Sequence, residues 1–239
     1  MKISISFIYI IIIGFIYSIL ANERTYTRVA IAIVLYIIFI AILFKEYKKN
    51  DNSYRIKSIS RILTIASAAY ISYSLFEFGF SSYFGINSIN KYEFEIIDII
   101  LGTLFTPIAE ELIFRGIMLN KLNKKHSFIV ANGIQALIFA CVHFNKEAMG
   151  FLFIYGIMAG VIYKNFSVYI GILIHVVNNL IVVILVKYHV TPIILPKNLY
   201  LFIGIVFLCL TLKILWSMSK KVIYEELNTN GKIKVRRRR

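Results

Sequence analysis

The chain has 239 residues, 59% of them hydrophobic and only 16% charged, whereas soluble domains run nearer a quarter charged. That balance excludes an ordinary soluble globular domain, and 19 Phe and 16 Tyr exclude a disordered one. The net charge is +15, from 27 Lys and Arg against 12 Asp and Glu. The basic residues lie between apolar runs, so they speak first of membrane topology rather than of nucleic acid.

The apolar residues form continuous runs of about twenty, the length that spans a bilayer as a helix. Period-2 alternation, the mark of a membrane barrel, is absent. The expected fold is all-α: a polytopic membrane helical bundle with about eight transmembrane helices. The runs fall at 3–20, 28–44, 58–76, 96–118, 127–143, 148–162, 166–187 and 199–217. No long polar insertion divides them, so residues 1–227 are expected to form a single integral membrane domain.

The first run follows Lys2 as the core of a signal peptide would, but a second run follows at once, and an uncleaved helix is the better reading. With the N-terminus placed in the cytoplasm, 21 basic residues fall inside and 6 outside. That bias puts both termini in the cytoplasm.

The second and third runs carry no recognisable signature. The fourth does. It reads Thr106-Pro107-Ile108-Ala109-Glu110-Glu111-Leu112-Ile113-Phe114-Arg115. A charge in a span costs at least about 2.5–3.5 kcal/mol on insertion scales, so its presence points to function. Glu111 and Arg115 are spaced i, i+4 and can pair along one face. Glu110 points about 100° away and needs a partner of its own. Thr103, Thr106 and Glu110 form a polar stripe, and Pro107 can kink the helix just before the pair.

In the fifth run, Asn132, Gln135, Phe139 and His143 lie broadly on one face. The sixth run is featureless. The seventh places His175 near mid-span with Asn179 one turn on. After the eighth run, residues 228–239 form a basic tail, expected to be unstructured and held against anionic lipid. It has no nucleic-acid-binding fold to support that role. Cys141 and Cys209 lie in apolar runs without metal spacing and are read as buried thiols without function. His126 and His189 fall in loops.

Two imidazoles, two carboxylates, an arginine and an amide thus meet in one bundle. They suffice to hold and deprotonate a water, with Glu as general base. The second His and the Asn can stabilise an oxyanion. Two His and a Glu can equally ligate a divalent metal such as zinc, in which case the ligands are Glu110, His143 and His175.

The three segments resemble the motifs of the CPBP intramembrane proteases, the CAAX prenyl endopeptidase and bacteriocin-processing (Abi) group. The family pattern is EExxxR, FxxxH and HxxxN. Here it stands as Glu110-Glu111-Leu112-Ile113-Phe114-Arg115, Phe139-Ala140-Cys141-Val142-His143 and His175-Val176-Val177-Asn178-Asn179. The resemblance covers residues 96–187.

It implies an intramembrane endopeptidase acting on a membrane-associated or lipidated protein or peptide precursor, with peptide maturation or bacteriocin self-immunity as roles. The high Ile and Lys content suggests an AT-rich genome and, with it, a bacterial cell membrane as the setting. By resemblance Glu110 activates the water and His143 aligns it. His175 and Asn179 form the oxyanion site, Glu111 and Arg115 hold the site together, and Phe139 packs it. The family's label stands between glutamate-type and metal-dependent peptidase, and the single-helix HExxH zinc motif is absent. A non-catalytic membrane scaffold using the same fold is the alternative.

One expectation conflicts with this site. If the fourth run goes inward and the fifth outward, Glu110 lies about 15–20 Å from the inner face at ~1.5 Å per residue, and His143 about 25–30 Å. Two side chains at those depths do not meet.

Overall fold

In a computed structural model, residues 26–50, 59–85, 96–187 and 195–236 are described. The first expected run, 3–20, lies outside them, as does His189. The described residues hold seven helices and no strand. They are α1 (Tyr26–Asn50), α2 (Ile59–Phe84), α3 (96–123), α4 (Phe128–Val142), α5 (Met149–Asn165), α6 (Val168–Lys187) and α7 (Lys197–Arg236). The all-α expectation holds. These helices correspond to seven of the eight runs.

Two helices are long and apolar enough to cross a membrane, Val29–Lys48 in α1 and Lys197–Lys220 in α7. Only 22% and 17% of those stretches are buried. Their outer faces carry Ile31, Val34, Ile37, Ile38 and Ile42 on α1, and Phe202, Ile205, Leu210 and Trp216 on α7. Water does not tolerate an apolar surface of that extent, and lipid does. Cys141 and Cys209 belong to this outer surface. They are exposed, not buried as the apolar runs suggested.

Lipid tails are as apolar as the side chains they meet, so helix association here rests on close packing and polar contacts. Gly79 of α2 and Gly204 of α7 show the first. A Cβ on Gly79 would run into the Gly204 backbone, and Phe80 lies over Gly204. Asn132 and Gln135 show the second. Gln135 Nε2 donates to Gly156 O at 2.8 Å, and Asn132 Nδ2 donates to Ile157 O at 3.0 Å. These residues seal α4 onto α5 and do not extend the stripe toward His143. The Thr stripe is likewise structural: Thr103 Oγ1 donates to Ile99 O at 2.6 Å, and Thr106 Oγ1 lies 3.2 Å from Tyr36 Oη.

Helix α3 is not a uniform α-helix. Its α-helical pieces, Ile96–Ile100, Thr106–Glu110 and Asn120–Asn123, alternate with π-helical turns at Leu101–Phe105 and Glu111–Leu119. Wide π turns cluster where a helix must re-aim side chains, and here they flank Pro107 and the two glutamates. Helix α2 ends at Gly85, whose φ of 68° is the left-handed conformation that closes helices. The basic tail also differs from expectation, since α7 continues through it to Arg236.

Candidate active site

Helices α3 and α4 lie side by side and antiparallel, joined by the turn at residues 124–127. Counted from that turn at ~1.5 Å per residue, Glu110 stands about 20 Å up α3 and His143 about 22 Å up α4. They are therefore level. Helix α4 has 15 residues, about 22 Å, and does not reach across a hydrocarbon core of about 30 Å. The depth conflict came from treating 127–143 as a full span. His143 is the C-cap of a short helix, with Phe144 beyond it at a positive φ of 51°.

Three helices deliver the site. Glu110 Oε1 lies 3.9 Å from His143 Nε2, and Glu110 Oε2 lies 3.7 Å from His175 Nε2 on α6. Both distances exceed direct hydrogen bonding and suit groups that share a small molecule between them. Glu110 and His175 are buried. The His143 side chain is 29% exposed, so the site opens at the end of α4.

Behind this group sits a second one. Glu111 Oε1 pairs with Arg115 at 3.1 Å and accepts a hydrogen bond from His175 Nδ1 at 3.0 Å. Glu111 and Arg115 are wholly buried. The Arg115 guanidinium lies 4.3 Å from the Phe139 ring centroid and 5.8 Å from that of Tyr155. The ion pair is close but poorly aligned. None of the three guanidinium nitrogens has a hydrogen-bond partner among the described residues, and neither has Glu111 Oε2. The pair holds by charge and by stacking on the two rings.

These contacts decide the histidine tautomers. Glu111, paired with arginine, is a carboxylate and accepts only, so His175 Nδ1 carries a hydrogen. His143 Nδ1 lies 2.7 Å from Phe139 O, another acceptor. A neutral His143 therefore turns an unprotonated Nε2 toward Glu110, and His175 carries a hydrogen on Nε2 only when its ring is doubly protonated. The donor types match those of a His₂Glu metal site. Their assembly does not, since no group of three or more His, Cys, Asp or Glu among the described residues is arranged to hold a metal ion.

Asn179 lies one turn beyond His175. Its Nδ2 donates to Gly102 O at 3.0 Å, and its Oδ1 accepts from Asn178 Nδ2 at 3.2 Å. His126 is in the α3–α4 turn, exposed and apart from the site. Several residues here escaped the sequence reading. The Tyr155 ring lies tilted against that of His175, centroids 5.1 Å apart, and Tyr70 donates to Asn178 Oδ1 at 2.6 Å. Outside this group, Glu77, a further carboxylate in an apolar helix, escaped because the third run was closed at residue 76, whereas α2 continues to Phe84. A charge seven residues before that helix end was the available signal.

No curated protein and no solved structure matches the chain. A family model does, and its match spans all three motifs. Residues 92–181 match, and are in that stretch similar to, the family described as Type II CAAX prenyl endopeptidase Rce1-like.

Proposed function

We propose that the protein is an intramembrane endopeptidase in which Glu110 is the general base. The observation that carries this reading is the convergence of Glu110, His143 and His175 from three helices, at 3.7 and 3.9 Å, with the His143 side chain partly exposed. Glu110 removes a proton from a water, and His143 Nε2 accepts the water's other hydrogen and aligns it. The water oxygen attacks the scissile carbonyl carbon, whose oxygen becomes the oxyanion. Asn179 Nδ2 and His175 Nε2–H stabilise that charge. Glu110 then returns its proton to the amide nitrogen as the C–N bond breaks, which leaves a carboxylic acid and an amine.

Donation from His175 Nε2 requires a doubly protonated ring, because Nδ1 already serves Glu111.

The substrate is a membrane-associated or lipidated peptide or protein, consistent with the Rce1-like match and with a site set among lipid-facing helices. Both termini face the cytoplasm in this reading, as the basic residues indicate. Peptide maturation or self-immunity against a bacteriocin is the role we favour in a bacterial membrane. No step above runs through a metal.

The test uses purified wild type and Glu110→Gln in liposomes, incubated with the membrane peptidome of the source cell, with a chelator arm. New peptide ends are read by mass spectrometry. Ends made by wild type and lost in Glu110→Gln support the protease and name its substrate. Their loss with chelator returns the metal to the mechanism. Equal peptide pools from the two folded proteins favour a non-catalytic scaffold.

A further inference from the structure

We propose that Tyr70 of α2 is a positioning residue that sets the orientation of the Asn179 amide through Asn178. This rests on the reading of Asn179 as an oxyanion donor. It adds to the site a helix that lies outside the matched residues 92–181.

The argument starts at the π turn of α3. There the Thr106 N–H closes on Leu101 O. In that register the Gly102 carbonyl would take the N–H of residue 107, but Pro107 has none. Asn179 Nδ2 supplies the hydrogen instead, at 3.0 Å. A carbonyl only accepts, so this contact decides which face of the amide is nitrogen. Asn179 Oδ1 then points the other way and can only accept. It accepts from Asn178 Nδ2 at 3.2 Å. That in turn leaves Asn178 presenting Oδ1 to α2, where the Tyr70 hydroxyl donates to it at 2.6 Å.

Every bond in the series has one permitted direction, and both ends are anchored on other helices. Asn179 Nδ2 has two hydrogens, of which Gly102 uses one. The second is free for a ligand, on the helix face that carries His175. Without the tyrosine hydroxyl, Asn178 Oδ1 loses its donor. Asn178 is then held only by its bond to Asn179 Oδ1 and can swing away from it. Asn179 keeps its bond to Gly102 O but loses the fixed donor on Oδ1, and its second Nδ2 hydrogen is no longer held in one direction for the oxyanion.

The test is steady-state cleavage, by the reconstituted full chain, of the peptide identified from the wild-type and Glu110→Gln comparison. Tyr70→Phe keeps the ring and removes the donor. We expect kcat about tenfold lower, KM within about twofold and an unchanged thermal midpoint, on the scale of one lost hydrogen bond. Asn179→Ala should lower kcat by about 100-fold. The double variant should be no slower than Asn179→Ala, since Tyr70 acts only through that residue.

Full kcat in Tyr70→Phe, or losses that multiply in the double variant, would overturn the positioning role and leave the protease reading intact. Full kcat in Asn179→Ala would instead remove the oxyanion reading, as would the absence of any wild-type cleavage, and the positioning role falls with it. Should Tyr70→Phe fold poorly, Asn178→Ala breaks the same series without altering α2 and is read in the same way.

Discussion

Gly171 of α6 lies so close to Glu111 of α3 that a Cβ built on it would stand 2.9 Å from Oε2. This close approach brings α6 against α3 and sets His175, one turn further on, within 3.0 Å of Glu111. Gly171→Ala should push the helices apart or displace the carboxylate. The expected loss is about 1–3 kcal/mol of stability, the usual range for overpacking, with a fall in cleavage. Thermal unfolding in detergent and the cleavage assay together check this. Wild-type values in both would show that α6 has room to shift.

Glu111 and Arg115 form a buried pair, and removing one member strands the other. Glu111→Ala and Arg115→Ala should each destabilise the protein by about 3–5 kcal/mol. A double replacement by apolar residues of similar volume should be less harmful than either single change. Arg115→Lys should not restore the wild type, because a compact ammonium does not reproduce the guanidinium's cation–π contacts with Phe139 and Tyr155. Chemical denaturation of the four variants measures this ordering.

Glu110 has a different relation to its surroundings. Its two histidine contacts are 3.7 and 3.9 Å, beyond direct hydrogen bonding. Glu110→Gln keeps the shape of the side chain and His143→Ala removes a partly exposed one, so both should leave the fold and membrane insertion intact and lower cleavage by at least about 100-fold. Size-exclusion profiles and rates on the identified substrate separate the two effects. Substantial activity in Glu110→Gln would end its assignment as base.

Cys141 and Cys209 sit on the outer apolar surface. In sealed vesicles both thiols should react with a lipid-soluble maleimide and resist a charged, impermeant one. Labelling by the charged reagent would place that stretch of α4 or α7 in water. The counts of modified thiols by intact-protein mass spectrometry give the answer.

Much of the site was legible because its parts are locally anomalous. Glu110, Glu111, Arg115, His143 and His175 stand out against apolar neighbours, and lipid penalises such groups wherever they lie. Helical spacing also foresaw the pairing of Glu111 with Arg115, since i, i+4 contacts depend on the backbone alone. Tyr70, Tyr155 and Asn178 were not legible. Tyrosine and asparagine are common in membrane helices, and their roles here depend on which helix lies opposite. Gly102 was hidden for a related reason. Its carbonyl is free only because the helix widens to a π turn before Pro107.

The sequence by itself determined that this is an all-α membrane protein with three polar motifs on separate apolar helices. It could do so because hydropathy and helical period are properties of single segments. Which motifs meet, and at what depth, was decided only by the tertiary structure. The depth of His143 depends on where α4 starts and stops relative to α3, and that follows from the 124–127 turn and from Gln135 and Asn132 sealing α4 onto α5. The hydrogen on His175 Nδ1, set by Glu111 of α3, and the direction of the hydrogen bonds through Asn178 and Asn179, set by Gly102 of α3 and Tyr70 of α2, likewise follow from partners on other helices. Contacts of that kind are made between helices, and no single helix encodes them.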